Sequence, residues 1–415
     1  MTSALNDLAS AKVSVWLDDL SRTRVTSGSL ALMVERGEIV GITTNPTIFA
    51  KAIGTGTGYE EQLRDLALRG TAIGETLRLL TAWDVRAACD VLRHVFERAE
   101  GRDGRVSIEV DPRISGDAER TAAEARGLWW LVDRPNLFVK IPATREGLPA
   151  ITACIADGIS VNVTLIFSLN RYRAVLDAFL TGVERRMASG GNLVGIESVA
   201  SFFISRVDTE VDRRLAEREV PRRDVGASDR TRSLRGQAAI ANARLAYEIY
   251  EEMLASKRWQ ALAAGGARPQ RLLWASTGVK DKAFSDTRYV VDLVAPDTVN
   301  TMPETTLHAV ADHGEVAGDA VRGRYGEARR IIDELNSLGI DLEDVAETLE
   351  MQGVASFGQS WDELIASVTK RIEEFGAEVM PAGAVAPATR DGSPQAAPAS
   401  GAPRDTARPG RASRD

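Results

Sequence analysis

The sequence predicts an α/β protein built as a (β/α)8 barrel with additional helices and a disordered C-terminal tail, and three observations carry that prediction. Eight short runs rich in β-branched and apolar residues alternate with longer stretches of helical periodicity. Each run is followed by polar residues before the next helix, where such barrels place their reactive groups. The length, 415 residues with 44% hydrophobic and 27% charged, suits one large barrel with insertions.

The eight candidate strands are residues 13–17, 39–43, 106–110, 137–141, 160–164, 199–203, 271–275 and 298–301. At or near their carboxyl ends stand Asp18, Asn45, Glu109, Lys140, Asn162, Thr164, Ser201 and Ser276. So many polar residues at equivalent places predict one constellation rather than scattered surface polarity.

Between the strands, Ser168 is placed to cap a helix over 169–180, in which Tyr172, Val175, Leu176 and Phe179 recur every three or four residues. Residues 76–98 leave room for one or two extra helices, and 236–262 reads as a helix with Leu245, Ile249 and Met253 on one face. From 315 to 375 the chain turns helical again, with Ile331, Ile332 and Leu335, then Trp361, Leu364, Ile365 and Val368. These helices are expected over one end or the flank of the barrel. Residues 1–378 form the barrel region in this reading, and 379–415 the tail. Its last 35 residues, 381–415, have six prolines and no aliphatic side chain larger than Val385, too little apolar area to offset the entropy of ordering.

Composition removes several function classes. A net charge of −8 and no basic stripe interleaved with aromatics argue against nucleic acid. The arginine pairs Arg213-Arg214 and Arg222-Arg223 alternate with acids and read as solvated faces. Residues 1–12 lack the apolar core of a signal peptide, and no run reaches membrane-spanning length, which predicts a cytoplasmic protein. Cys89 and Cys154 lie in alanine-rich helical stretches and read as buried apolar fillers in a reducing compartment. The three histidines, His94, His308 and His313, have no zinc-binding spacing, so no metal is expected and acid–base chemistry falls to carboxylates or water.

Lys140 stands out. It lies in the apolar run Asn136-Leu137-Phe138-Val139-Lys140-Ile141, and only seven of the 51 Lys and Arg residues are lysines. A primary amine kept at a buried strand end suggests Schiff-base chemistry, because burial disfavours the ammonium form and frees the lone pair. A snorkelling lysine is the alternative from the residue alone.

Five stretches carry a family resemblance: Trp16-Leu17-Asp18-Asp19-Leu20-Ser21-Arg22, Gly41-Ile42-Thr43-Thr44-Asn45-Pro46-Thr47, Glu109-Val110-Asp111-Pro112-Arg113, Val139-Lys140-Ile141-Pro142-Ala143-Thr144, and Asn162-Val163-Thr164-Leu165-Ile166-Phe167-Ser168. In this order, each at a strand end, they make residues 10–375 resemble a transaldolase of the longer bacterial subgroup, among the class I Schiff-base aldolases. The resemblance implies a cofactor-free transfer of a dihydroxyacetone unit between sugar phosphates in the pentose phosphate pathway. Sedoheptulose 7-phosphate and glyceraldehyde 3-phosphate would give erythrose 4-phosphate and fructose 6-phosphate, in a monomer or homodimer.

By the same resemblance Lys140 is the Schiff-base lysine and Asp18 the acid–base carboxylate. Asp18 is preferred to its neighbour Asp19, which reads as an outward charge or helix cap. Glu109 and Thr164 match the pair that holds a catalytic water; the structural reading of Glu109 is a salt bridge, with Arg113 as a candidate partner. Asn45 and Asn162 match the amides that bind substrate hydroxyls, with Thr43 in support, although Asn45 before Pro46 also suits a turn. Ser201 and Arg206, from Ser201-Phe202-Phe203-Ile204-Ser205-Arg206, and Ser276 and Lys280, from Trp274-Ala275-Ser276-Thr277-Gly278-Val279-Lys280, match the groups near the reacting carbons and the phosphate. Lys280 is chosen over Lys282, where the shorter subgroup has an arginine nearby. Two other readings stand beside this one: a fructose-6-phosphate aldolase on the same fold, and a catalytically silent barrel that binds sugar phosphates.

Overall fold

Eight parallel strands close into a barrel in sequence order, each paired with the next and the last with the first. They are β1 (Val13–Asp18), β2 (Gly41–Thr43), β3 (Arg105–Glu109), β4 (Leu137–Pro142), β5 (Val161–Ile166), β6 (Ser198–Phe203), β7 (Arg271–Ala275) and β8 (Thr298–Met302). The computed structural model describes residues 4–219 and 231–379. Residues 380–415 of the expected tail and the pair Arg222-Arg223 lie outside the described residues.

All eight expected strands are present, with ends displaced by a residue or two. Alternation puts Ser14, Trp16 and Asp18 of β1 on one face, and their contacts run across the barrel interior. Ser14 accepts from Arg271 Nη1 at 2.9 Å, and the Trp16 ring lies 6.0 Å from that of Phe138. Trp16 pairs in register with Gly41, where a Cβ would lie 2.5 Å from the indole. Only glycine at 41 lets the tryptophan fill the interior. Arg105 and Arg271 close the amino-terminal end of the barrel, both buried and hydrogen-bonded. The polar chemistry is thereby confined to the opposite, carboxyl-terminal mouth.

Residues 76–98 hold two helices, within the one or two expected: Ile73–Val91 and Arg93–Arg98, broken at Leu92. The helices depart from expectation in two places. The helix expected over 236–262 is also two, Ala238–Ala255 and Lys257–Ala264, because Ser256 adopts an extended backbone and its side chain caps the second. Residues 315–324 are not helical; helices run Tyr325–Ser337 and Leu342–Val379, separated by a turn in which Gly339 has φ 74°. The first packs on Ala238–Ala255 at the flank. The second crosses the mouth: it contacts the helix Pro46–Thr55 after β2, the short turn after β3, and β5 itself. Ser168 caps Leu169–Ala188 as expected, accepting from Arg171 N at 3.0 Å. No described helix is long and apolar enough to cross a membrane.

Candidate active site

Strand register brings the reactive side chains to one level. Asp18 pairs with Thr43, Glu109 with Lys140, Lys140 with Asn162, and Pro142 with Thr164. Lys140 is buried; its Nζ lies 2.7 Å from Glu109 Oε1 and donates to Thr44 O at 2.8 Å. The alternative salt bridge from Glu109 to Arg113 does not form, because Arg113 turns outward to Asp111 and Asp362. Apart from the lysine, neither Glu109 oxygen has a hydrogen-bond donor among the described residues, and Thr164 Oγ1 is likewise buried without a partner among them.

Asp18 accepts from Thr43 Oγ1 at 2.8 Å, and Thr43 Oγ1 lies 2.6 Å from Thr301 Oγ1. Burial raises the Asp18 carboxyl above its usual range; the Lys140 charge and the Thr43 hydroxyl pull it part of the way back. Burial raises Glu109 in the same way, with Lys140 opposing. Asp19 points elsewhere: Arg24 holds its Oδ2 at 2.7 Å and also pairs with Glu304. Of the two adjacent carboxyls, Asp18 alone joins the buried cluster.

A second chain of contacts runs from β3 to β6. Asn162 Nδ2 donates to Ser107 Oγ at 3.0 Å, and Ser201 Oγ donates to Asn162 Oδ1 at 2.7 Å. Asn45 caps the helix Pro46–Thr55, accepting from Ile48 N at 2.9 Å, which uses its carbonyl oxygen and leaves its amide nitrogen for another acceptor. The turn reading of Asn45 is thus satisfied as a helix cap.

Two residues at the mouth hold left-handed backbones without being glycine: Leu165 at φ 62° and Ser276 at φ 55°. Each costs about 1–3 kcal/mol, and such strain collects at functional sites. Leu165 follows Thr164 within an irregularity of β5 between Val163 and Ile166, which re-aims the strand end. Ser276 Oγ lies 3.0 Å from Ser205 Oγ. Beside them Arg206 opens the helix Ser205–Glu219, half-buried over the Phe203 ring at 5.5 Å. No carboxylate among the described residues pairs with it, and burial lowers its affinity for the proton. Lys280 and Lys282 are both exposed on the loop after β7, and neither enters the buried hydrogen-bonded cluster. No group of three or more metal-ligating side chains occurs among the described residues.

A sequence family described as Transaldolase/Fructose-6-phosphate aldolase matches residues 15–368. The chain belongs to that family. Among its relatives in the family, a protein named Transaldolase from Thermobifida fusca is 59% identical over 372 residues, covering 90% of this chain and 99% of that one. Another Transaldolase, from Acidothermus cellulolyticus, is 59% identical over 373 residues, 90% of this chain and 98% of its own. Transaldolase 1 of Streptomyces coelicolor is 58% identical over 375 residues, with 90% and 96% covered.

Within this family member, four residues at the site were missed by sequence reasoning: Thr44, Ser107, Thr301 and Phe357. Ser107 was legible in principle, because it lies two residues before Glu109 and alternation puts both on one face. Thr301 is the penultimate residue of β8 and pairs in register with Trp16, which shares its face with Asp18, so the same rule finds it. Thr44 acts through its carbonyl, which no side-chain pattern reveals. Phe357, whose ring centroid lies 6.0 Å from Lys140 Nζ, comes from the C-terminal helix and carries no local signal.

Proposed function

We propose that this chain is a transaldolase acting through a Schiff base on Lys140. It would move a dihydroxyacetone unit from a ketose phosphate to an aldose phosphate, with sedoheptulose 7-phosphate and glyceraldehyde 3-phosphate giving erythrose 4-phosphate and fructose 6-phosphate. The observation that carries the reading is the buried Lys140 amine at the barrel mouth, 2.7 Å from Glu109, with its charge acting on the hydrogen-bonded Asp18 carboxyl.

In this mechanism the Lys140 amine attacks the ketose C2 carbonyl to form a carbinolamine, which loses water to an iminium ion. Asp18 removes the proton of the C4 hydroxyl, the C3–C4 bond breaks, and its electrons enter the iminium to leave an enamine. The raised proton affinity of Asp18 suits a group that must take a proton and later return it. Glu109 Oε2 and Thr164 Oγ1, both buried and without a hydrogen-bond donor among the described residues, support a bridging water that shuttles protons during dehydration. Asn45, Asn162, Thr43 and Ser201 would bind the hydroxyls and hold the enamine. Arg206, Ser276 and Lys280 would bind the phosphate; the helix amino terminus at Ser205 and an arginine lacking a carboxylate both favour an anion. The buried free thiols of Cys89 and Cys154 fit a reducing cytoplasm.

Borohydride reduction with fructose 6-phosphate, followed by peptide mass mapping, tests the reading. A reduced dihydroxyacetone adduct is expected on the peptide containing Lys140; an adduct elsewhere, or none, rejects it. The aldolase alternative uses the same lysine, and rapid release of free dihydroxyacetone without an acceptor aldehyde would favour it.

A further inference from the structure

We propose that Phe357 is a wall of the active site that keeps water from the Lys140 adduct, so that the three-carbon fragment waits for an acceptor aldehyde instead of being hydrolysed. The inference rests on the transaldolase reading and adds a specificity-determining residue to it.

The C-terminal helix Leu342–Val379 is tethered across the mouth from several sides. Thr47, after β2, shares a 2.8 Å hydrogen bond with Ser360. Arg113, after β3, reaches Asp362 at 3.2 Å, and Arg171, after β5, reaches Glu350 at 3.0 Å. Arg214, on the helix after β6, donates to Thr348 at 3.1 Å. From Thr348 to Asp362 the helix rises about 21 Å, so these anchors bracket the opening. Between them the backbone comes close at Gly353, where a Cβ would lie 3.0 Å from Leu165 and 3.7 Å from Arg206. One turn further on, Phe357 projects inward, 5% exposed, toward the amine. An aromatic ring offers water no hydrogen bond, while its face attracts a cationic nitrogen, which the iminium is.

The competing reaction consumes water. Protonation of the enamine at C3 restores the iminium, and water adds at C2 and loses a proton. Protonation of nitrogen then lets the C2–N bond break. Enamine, one proton and one water become dihydroxyacetone and the Lys140 ammonium, with no oxidant or reductant. Transfer puts an aldehyde carbon on C3 in place of the proton, after which water adds at C2 in the same way to free the product ketose and Lys140. Keeping water from delivering a proton to C3 before the aldehyde arrives therefore decides between the two outcomes after a common intermediate.

The test uses the full chain with Phe357→Ala and the milder Phe357→Val. Dihydroxyacetone release without acceptor is compared with transfer to erythrose 4-phosphate, and the Lys140 adduct is trapped with borohydride in parallel. The ratio of release to transfer is expected to rise about tenfold in the alanine variant, and less in the valine variant, with the adduct still on Lys140. If Phe357→Ala fails to fold, the valine variant carries the test. An unchanged ratio, including a parallel fall in both rates from a purely structural role, overturns the inference. Absence of the adduct in the unmodified protein overturns the transaldolase reading itself, which separates the two failures.

Discussion

Lys140 Nζ and Glu109 Oε1 lie 2.7 Å apart, both side chains buried at register partners on β4 and β3. The amine is therefore paired as well as enclosed, and taking it away strands a carboxylate in the barrel. Lys140→Met should abolish turnover and trapping, and should cost about 3–5 kcal/mol of stability at neutral pH. Adding Glu109→Gln should recover much of that stability without activity. Urea denaturation of the single and double variants checks this; a single variant as stable as the parent would show that the pair is not a charged one.

Asp18→Asn should lower turnover by about 10²–10⁴-fold while the Lys140 adduct is still trapped, because Schiff-base formation precedes the step assigned to Asp18. Asp19→Asn loses a partly exposed pair with Arg24 and should cost about 0.2–1 kcal/mol of stability with little change in turnover. Steady-state kinetics on both variants ranks them, and the reverse order would move the acid–base role to Asp19.

The hydroxyl of Thr43 lowers the proton affinity of Asp18. Thr43→Val should raise it further. A base must be deprotonated to act, so the acid limb of the kcat/KM profile should move to higher pH in this variant. An unmoved limb would mean that another group sets it.

For Arg206→Ala, KM for fructose 6-phosphate should rise about 10–100-fold, the loss of a charge-assisted contact, with a much smaller effect on unphosphorylated fructose. Stability should hold or increase, since no described carboxylate loses a partner. Equal losses on both substrates would separate Arg206 from the phosphate.

Away from the site, burial pushes the Asp212 carboxyl up to about 6, although Gly236 N donates to it at 2.9 Å. The folded protein thus holds this proton more tightly than the unfolded chain. Its contribution to stability is retained below about pH 4 and lost as pH rises toward 6. Asp212→Asn, always neutral, should match the parent at low pH and exceed it by about 1 kcal/mol above pH 6, allowing for partial exposure. Denaturant midpoints across pH 4–8 measure the difference.

The strands were readable because a barrel strand buried on both faces must be a short apolar run, and its polar end marks the mouth. All eight were located this way. Helix limits were less legible: the break at Ser256 lies inside a continuous amphipathic pattern, and a serine there signals a cap only once the backbone is seen to turn extended. The choice of Asp18 over Asp19 rested on the resemblance, with alternation along β1 in support; in the structure an ion pair draws Asp19 to Arg24.

The sequence by itself determined the barrel, the order of its strands and the lysine at the end of the fourth, since these follow from periodicity and residue type along a contiguous stretch. Tertiary structure alone decided that Glu109 meets Lys140 rather than Arg113, that Thr301 reaches Thr43 across the closure of β8 on β1, and that Phe357 faces the amine. Local pattern reports which face a side chain occupies but not what lies opposite it. In a closed barrel that partner is set by strand register and by where a distant helix comes to rest, over separations of 31, 258 and 217 residues along the chain.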